Sequence, residues 1–229
     1  MSSESDDLQV LYANRFGHEE EQRSDLWKVL CSNFFQRWVP EDAVVLDVAA
    51  GHCEFINNIR AARKIAVDLN PDVKVRASAG VETHQQRSDS MTEIADGSVD
   101  RVFISNFFEH VPREVILTTL VEVRRVLKPG GKLLILQPNV RYCAKDYWMF
   151  FDHITPVDDR ALVEALKATG YDVETCIPRF LPYTTKSRLP SGPGLVRLYL
   201  RMKPAWRLLG AQAFVVARPS VDPDPSQPA

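Results

Sequence analysis

The sequence predicts an α/β protein, a doubly wound and mostly parallel sheet with helices on both faces. Three observations carry this. Short apolar runs of strand length alternate with helical stretches from Ala43 to Gly170. A turn of small residues, Ala49-Ala50-Gly51, follows the first run, and an acid, Asp68, closes the second. Alternation of this kind builds parallel sheets, whose ligands bind beyond the carboxyl ends of the strands where the strand order reverses.

The elements follow in order. Leu26, Val29, Leu30 and Phe34 recur at helical spacing, and Pro40 ends that pattern. Residues 43–49 form the first strand, and a helix runs from about Glu54 to Ala62. Lys64 to Leu69 is the second strand, stopped by Asn70-Pro71, and a third lies within 73–87. Val99 to Ser105 is the fourth. A helix from Pro112 to Leu127 opens on proline and closes on Lys-Pro-Gly-Gly, before a fifth strand from Lys132 to Gln137. Pro156 to Gly170 is a further helix, ended by glycine. Tyr171 to Ile177 and Ala211 to Ala217 are the last strands. They lack a crossover pattern, which suits an antiparallel pair. The expected organisation is a helical lid or cap over 1–40, one domain over 41–218 with a basic insertion at 178–210, and a disordered tail over 219–229.

Composition narrows the function. The chain has 229 residues, 45% hydrophobic and 25% charged, enough for one domain with a sizeable core. A net charge of −2 argues against a general nucleic-acid binder. The acidic, Ser-rich start does not read as a signal peptide, and no apolar stretch approaches the roughly 20 residues of a spanning helix. A cytoplasmic protein is expected. The four cysteines are far apart and outside zinc spacing, so buried thiols are expected and no metal.

The turn after the first strand holds one glycine, Gly51, flanked by Asp47 and Glu54. A dinucleotide would need G-x-G-x-x-G and no nearby acids, because its pyrophosphate is negative. Acids here suit a cationic or zwitterionic ligand. Asp68 can accept hydrogen bonds from both hydroxyls of a ribose.

Five stretches carry a resemblance: Val45-Leu46-Asp47-Val48-Ala49-Ala50-Gly51, Ala66-Val67-Asp68-Leu69-Asn70-Pro71, Ala95-Asp96-Gly97-Ser98-Val99-Asp100, Ser105-Asn106-Phe107-Phe108-Glu109-His110-Val111 and Arg125-Val126-Leu127-Lys128-Pro129-Gly130-Gly131. In this order they resemble the motifs of class I S-adenosylmethionine (SAM) dependent methyltransferases of the type 11 kind. The resemblance implies a Rossmann-like seven-stranded sheet of order 3-2-1-4-5-7-6 with strand seven antiparallel, and SAM as cofactor. It places Asp47, Ala49 and Gly51 near the methionine part and Asp68 on the ribose, with Leu69 beside it. Asp89 would face the adenine amino group with Ser90 adjacent, and Asn106 would line the methyl region. Ala49 and Cys53 stand where the family usually has glycine. Alanine costs little there if its φ is negative, while Cys53 would bring a side chain toward the cofactor.

The second half points to the acceptor. Residues 137–153 leave the fifth strand and include Asn139, Arg141, Tyr142, Tyr147 and Trp148; with Arg179 these are the candidate substrate-binding residues. Both this stretch and 178–188 resemble a bacterial subgroup associated with sugar and polysaccharide modification. The implied reaction is methylation of a small molecule, on a hydroxyl of a sugar or nucleotide-sugar-like acceptor. A hydroxyl must lose its proton, and His110 and His153 are the candidate bases. Tyr12, Arg15 and His18 could belong to a lid, although a docked helix is the plainer reading. Residues 179–210 hold Arg179, Lys186, Arg188, Arg197, Arg201, Lys203 and Arg207 and no acid. They read first as a surface helix with its apolar side on the sheet, then as a phosphate site, and last as a membrane contact. Two other readings stay open: a lyase or carbon–carbon bond-forming enzyme on the same fold, and a non-catalytic partner subunit.

Overall fold

The computed structural model describes residues 20–183 and 192–221. The expectations for Tyr12, Arg15, His18, Lys186 and Arg188, and for residues 222–229 of the tail, lie outside these.

The elements are α1 (Glu20–Asn33), β1 (Val44–Val48), α2 (Glu54–Asn58), β2 (Arg63–Asp68), α3 (Val73–Arg76), β3 (Val81–Gln85), β4 (Val99–Ser105), α4 (Arg113–Val126), β5 (Leu127–Pro138), α5 (Val140–Tyr147), α6 (Asp159–Ala168), β6 (Tyr171–Leu181), α7 (Pro193–Arg201), α8 (Lys203–Leu209) and β7 (Gln212–Pro219). The seven strands form one sheet in the order β3-β2-β1-β4-β5-β7-β6. β7 runs antiparallel to both β5 and β6, while the pairs from β3 to β5 are parallel.

Strand periodicity divides the core into two layers. Val45, Phe103, Leu134, Leu136, Phe214 and Val216 point to one face. Leu46, Val48, Val102, Ile104, Leu133, Ile135, Val215 and Ala217 point to the other. The first face is covered by Trp27 and Leu30 of α1, by Phe34 just after it, and by Leu200 and Trp206 of α7 and α8. The second is covered by Leu120 and Val123 of α4 and by Leu162 and Leu166 of α6. The described part of the expected cap, residues 20–39, therefore supplies core.

Several boundaries differ from the sequence reading. α2 stops at Asn58, not Ala62, because Ile59 is buried in an extended conformation and Arg60 N–H donates to Gln36 Oε1 (2.9 Å). α6 starts at Asp159, where the Asp158 carboxylate accepts from the N–H groups of Arg160 and Ala161 (2.9 and 2.8 Å). β5 begins at Leu127, so the Lys-Pro-Gly-Gly segment lies inside a strand. β7 runs to Pro219 and Ser220 N–H donates to Gly170 O (2.9 Å), so the tail does not begin at 219.

Phe35 joins the layers' elements. It is fully buried, with ring centroids 6.0 Å from Trp27, 5.9 Å from Phe55, 5.2 Å from Phe103 and 5.6 Å from Phe214. Phe35→Ala should destabilise the fold by about 3–5 kcal/mol in urea titration. A loss below about 1 kcal/mol would show that the ring is not the keystone its contacts describe.

Candidate active site

The register sets the site. Val48 pairs with Val67 of β2 and with Ile104 of β4, so the carboxyl ends of these three strands lie side by side. The turn after β1 is left-handed at Ala49 (φ 55°), Gly51 (φ 51°) and Cys53 (φ 59°). It is tied to β2: Ala50 N–H donates to Val67 O (3.2 Å) and Gly51 N–H to Asp68 Oδ2 (2.7 Å). A side chain at Gly51 would meet no atom within 4 Å, so it is the backbone angle and not space that calls for glycine.

Two expectations about this turn are corrected. The φ of Ala49 is positive, so alanine carries the roughly 1–2 kcal/mol of a left-handed residue. Cys53 is fully buried with its Sγ 4.0 Å from Val73 O, and its side chain joins the core below the turn instead of approaching a cofactor. Glu54 is ion-paired with Arg23 of α1.

The acids at the strand ends are held differently. Asp47 is buried, and burial lifts its carboxyl well above the usual range; the Ile56 backbone opposes this, while Asp68 and Glu54 add to it. Asp68 is also raised by burial, against hydrogen bonds from Asn70, Gly51 and Leu69. Its two oxygens accept the N–H groups of Gly51 and Asn70, each at 2.7 Å, and with Leu69 as a third donor one of the four lone pairs stays open. Leu69 beside it is 60% exposed. Asp89 is clasped by Arg87 at 2.9 Å on each oxygen, which holds its carboxyl below the usual range. Ser90 is exposed, and its N–H donates to Arg87 O (3.3 Å). Asn106 is exposed and left-handed (φ 48°), its N–H donating to Leu136 O (2.9 Å).

The two histidines meet. Their ring centroids are 4.9 Å apart, although one follows β4 and the other lies beyond α5. His110 Nδ1 faces Asp152 Oδ2 at 3.2 Å, and its Nε2 lies 3.7 Å from Glu109 Oε1. Burial pulls the His110 pKa down, but the Asp152 hydrogen bond and the charges of Glu109 and Asp152 outweigh it, and the net shift is upward. Glu109 is buried, raised by that burial, and its Oε2 accepts from Gln137 Nε2 (2.9 Å). His153 is buried among Tyr147 (4.7 Å) and Phe150 (5.0 Å). The ligand-capable atoms of Glu109, His110 and His153 fall within 4.8 Å of one another, a spacing that could hold a cation between them. Asp152 and Glu109 were not among the residues singled out from sequence; each is the immediate chain neighbour of a histidine that was.

Four of the expected substrate residues are engaged by the fold. Asn139 is fully buried, capping α5 and donating to Asp159 Oδ1 (2.7 Å) and Pro178 O (3.0 Å). Arg141 pairs with Asp159 (2.8 Å). Tyr147 is fully buried, its hydroxyl donating to Thr155 O (2.5 Å). Arg179 donates to Gly210 O and Leu208 O (2.7 Å each), satisfying carbonyls at the end of α8, and lies over the Tyr142 ring at 4.6 Å. Tyr142 and Trp148 keep 37% and 55% exposure and can still meet a ligand.

A family model described as a methyltransferase domain matches residues 46–135. The ubiquinone/menaquinone biosynthesis C-methyltransferase UbiE of Paracoccus denitrificans is 33% identical over 125 residues. That alignment takes in 49% of this chain and 48% of the relative, so the chain spans about half the length of the relative it matches. Among solved structures, a SAM-dependent methyltransferase from Archaeoglobus fulgidus superposes with a TM-score of 0.66 at 20% identity, covering 88% of this chain and 98% of that one. A second SAM-dependent methyltransferase, from Mesorhizobium loti, gives 0.57 at 17% identity over 80% and 94%. Sequence match and strand order coincide: residues 46–135 match a methyltransferase domain, and the sheet has the fold of the SAM-dependent methyltransferases it superposes on.

Proposed function

We propose that the chain methylates a small-molecule acceptor, on a hydroxyl of a sugar or nucleotide-sugar-like compound, with His110 taking the proton. The observation that carries this is the Asp152–His110 pair beside the β4 end, at the same edge of the sheet as Asp68 and the β1 turn. Asp152 accepts from Nδ1–H, which leaves the Nε2 lone pair as the base.

The residues present fit the cofactor. The half-buried Asp68 keeps one open lone pair for the ribose hydroxyls, and the exposed Leu69 offers an apolar face to the adenine. Asp89 and Ser90 stand next along the edge, Asp89 through the lone pairs that Arg87 leaves. Asp47, Ala49, Gly51 and Asn106 border the methionine part, where buried acid suits a positive charge. SAM, when bound, supplies an electrophilic methyl group on a sulfonium. The chain's part is to align the acceptor, hold water out and remove the proton. His153, packed edge-on against His110, fixes the wall of the acceptor site; Tyr142 and Trp148 offer aromatic faces to the acceptor.

A second reading, methylation at carbon, is favoured by the resemblance to a C-methyltransferase. The same base serves, since such a carbon is activated by loss of an acidic proton. Methyl-labelled SAM and carbon NMR of the product would tell the two apart, because a methyl bound to oxygen resonates far from one bound to carbon.

Two measurements test the proposal. Calorimetric titration with S-adenosylhomocysteine should show binding that Asp68→Ala weakens at least tenfold. No binding of either SAM or S-adenosylhomocysteine to the folded protein would remove the methyltransferase reading. In turnover, His110→Ala should lower kcat by about 10²–10⁴-fold. The rate should fall as the pH drops through the raised pKa of His110, since only neutral imidazole accepts a proton. Asp152→Asn removes a charge that favours imidazolium, so that limb should move to lower pH. An unchanged profile in Asp152→Asn would sink the role given to the pair.

A further inference from the structure

We propose that α7 and α8 form an interfacial anchor that seats the protein on an anionic lipid surface. This goes beyond methyl transfer and does not depend on it. The inward side of these helices behaves as a core-facing helix should: Leu200 and Trp206 are buried, with Val196 and Tyr199 packed against the same cluster. The outward side is not the polar face of an ordinary surface helix. Leu198 is 52% exposed, Met202 48%, Leu208 77% and Leu209 44%. Beside them stand Arg197, Arg201, Lys203 and Arg207, all exposed. None of these four cations has an ion-pair partner among the described residues, and residues 178–211 contain no acid at all. In a chain of net charge −2, so unbalanced a segment is a local feature.

Large apolar side chains interleaved with unpaired cations match a bilayer interface, where the former enter the acyl boundary and the latter meet phosphate. A cavity of about 700 Å³ opens beside α8; its lining includes Arg37, Arg179, Lys203 and Arg207 and no carboxylate. It has the charge and size for a lipid headgroup. Past α5, Met149 and Phe151 are 75% and 91% exposed. No helix of the described residues is long and apolar enough to cross a membrane, so the contact is peripheral.

The test is co-sedimentation of the full chain with vesicles of phosphatidylcholine alone and of phosphatidylcholine with phosphatidylglycerol. Binding is expected to the anionic vesicles only, to weaken with salt, and to fall about tenfold or more in Lys203→Glu/Arg207→Glu and in Leu198→Ser/Leu208→Ser. Both variants should keep the parent's circular-dichroism spectrum and urea midpoint, which shows that they fold and keeps this test separate from that of the methyltransferase reading. Soluble glycerol phosphate is the competing arm: if it abolishes vesicle binding at millimolar concentration, the cavity is a site for a free phosphate compound and the anchor is wrong. Absence of binding to anionic vesicles, binding unchanged in both variants, or a dimer in sedimentation equilibrium that Leu198→Ser/Leu208→Ser dissolves would each overturn it.

Discussion

The bond from Gly51 N–H to the Asp68 carboxylate, 2.7 Å long, ties together the carboxyl edge of the sheet. It joins the turn after β1, left-handed at three positions, to the end of β2. The carboxylate in turn holds Asn70, which directs the chain out of the strand toward α3. Burial works against the charge on Asp68, and three backbone N–H groups work for it. The same acid is therefore both a structural staple and the rim of the site. A neutral substitute would lose the turn's anchor.

Much of this was legible in the sequence, for identifiable reasons. The sequence could place residues at the β1, β2 and β4 ends because its apolar runs mark where those strands stop, and ligands of this fold bind beyond such ends. The strand boundaries of β4 were read to the residue because its apolar run is bounded by turn signals on both sides. The length of α2 was misread because Ile59 continues a helical pattern while its tertiary role is to turn the chain toward β2. The acceptor side was harder. Asn139, Arg141 and Arg179 are residue types that bind substrates, and nothing in sequence spacing says that Asp159 and the carbonyls of Leu208 and Gly210 have already claimed them. The Asp152–His110 pair joins residues 42 apart, a separation that periodicity does not reach.

Charge is distributed with the same logic. The carboxyl edge of the sheet is framed by Asp47, Asp68 and Asp89, while α7 and α8 carry Arg197, Arg201, Lys203 and Arg207 with no acid among them. Around His110 two carboxyls set the balance: Asp152 orients the ring and Glu109, buried and held by Gln137, adds to its proton affinity. Buried carboxyls are costly unless they are hydrogen-bonded. Gln137, itself buried on β5, supplies that bond and fixes Glu109 to the sheet.

The departures from glycine at 49 and 53 are accommodated in different ways. At Cys53 the side chain is used: it is fully buried in the cluster around Val73, so its contacts repay part of the left-handed backbone. Ala49 has no comparable compensation, being only half-buried, and its strain is held by the bonds on either side of it, β1 paired to both neighbours and Ala50 tied to Val67. A turn kept in the glycine conformation without its glycines is one whose shape is still dictated by its surroundings. That argues that the cofactor turn is retained in form, and it removes the main structural ground for reading the chain as a partner that has lost its cofactor.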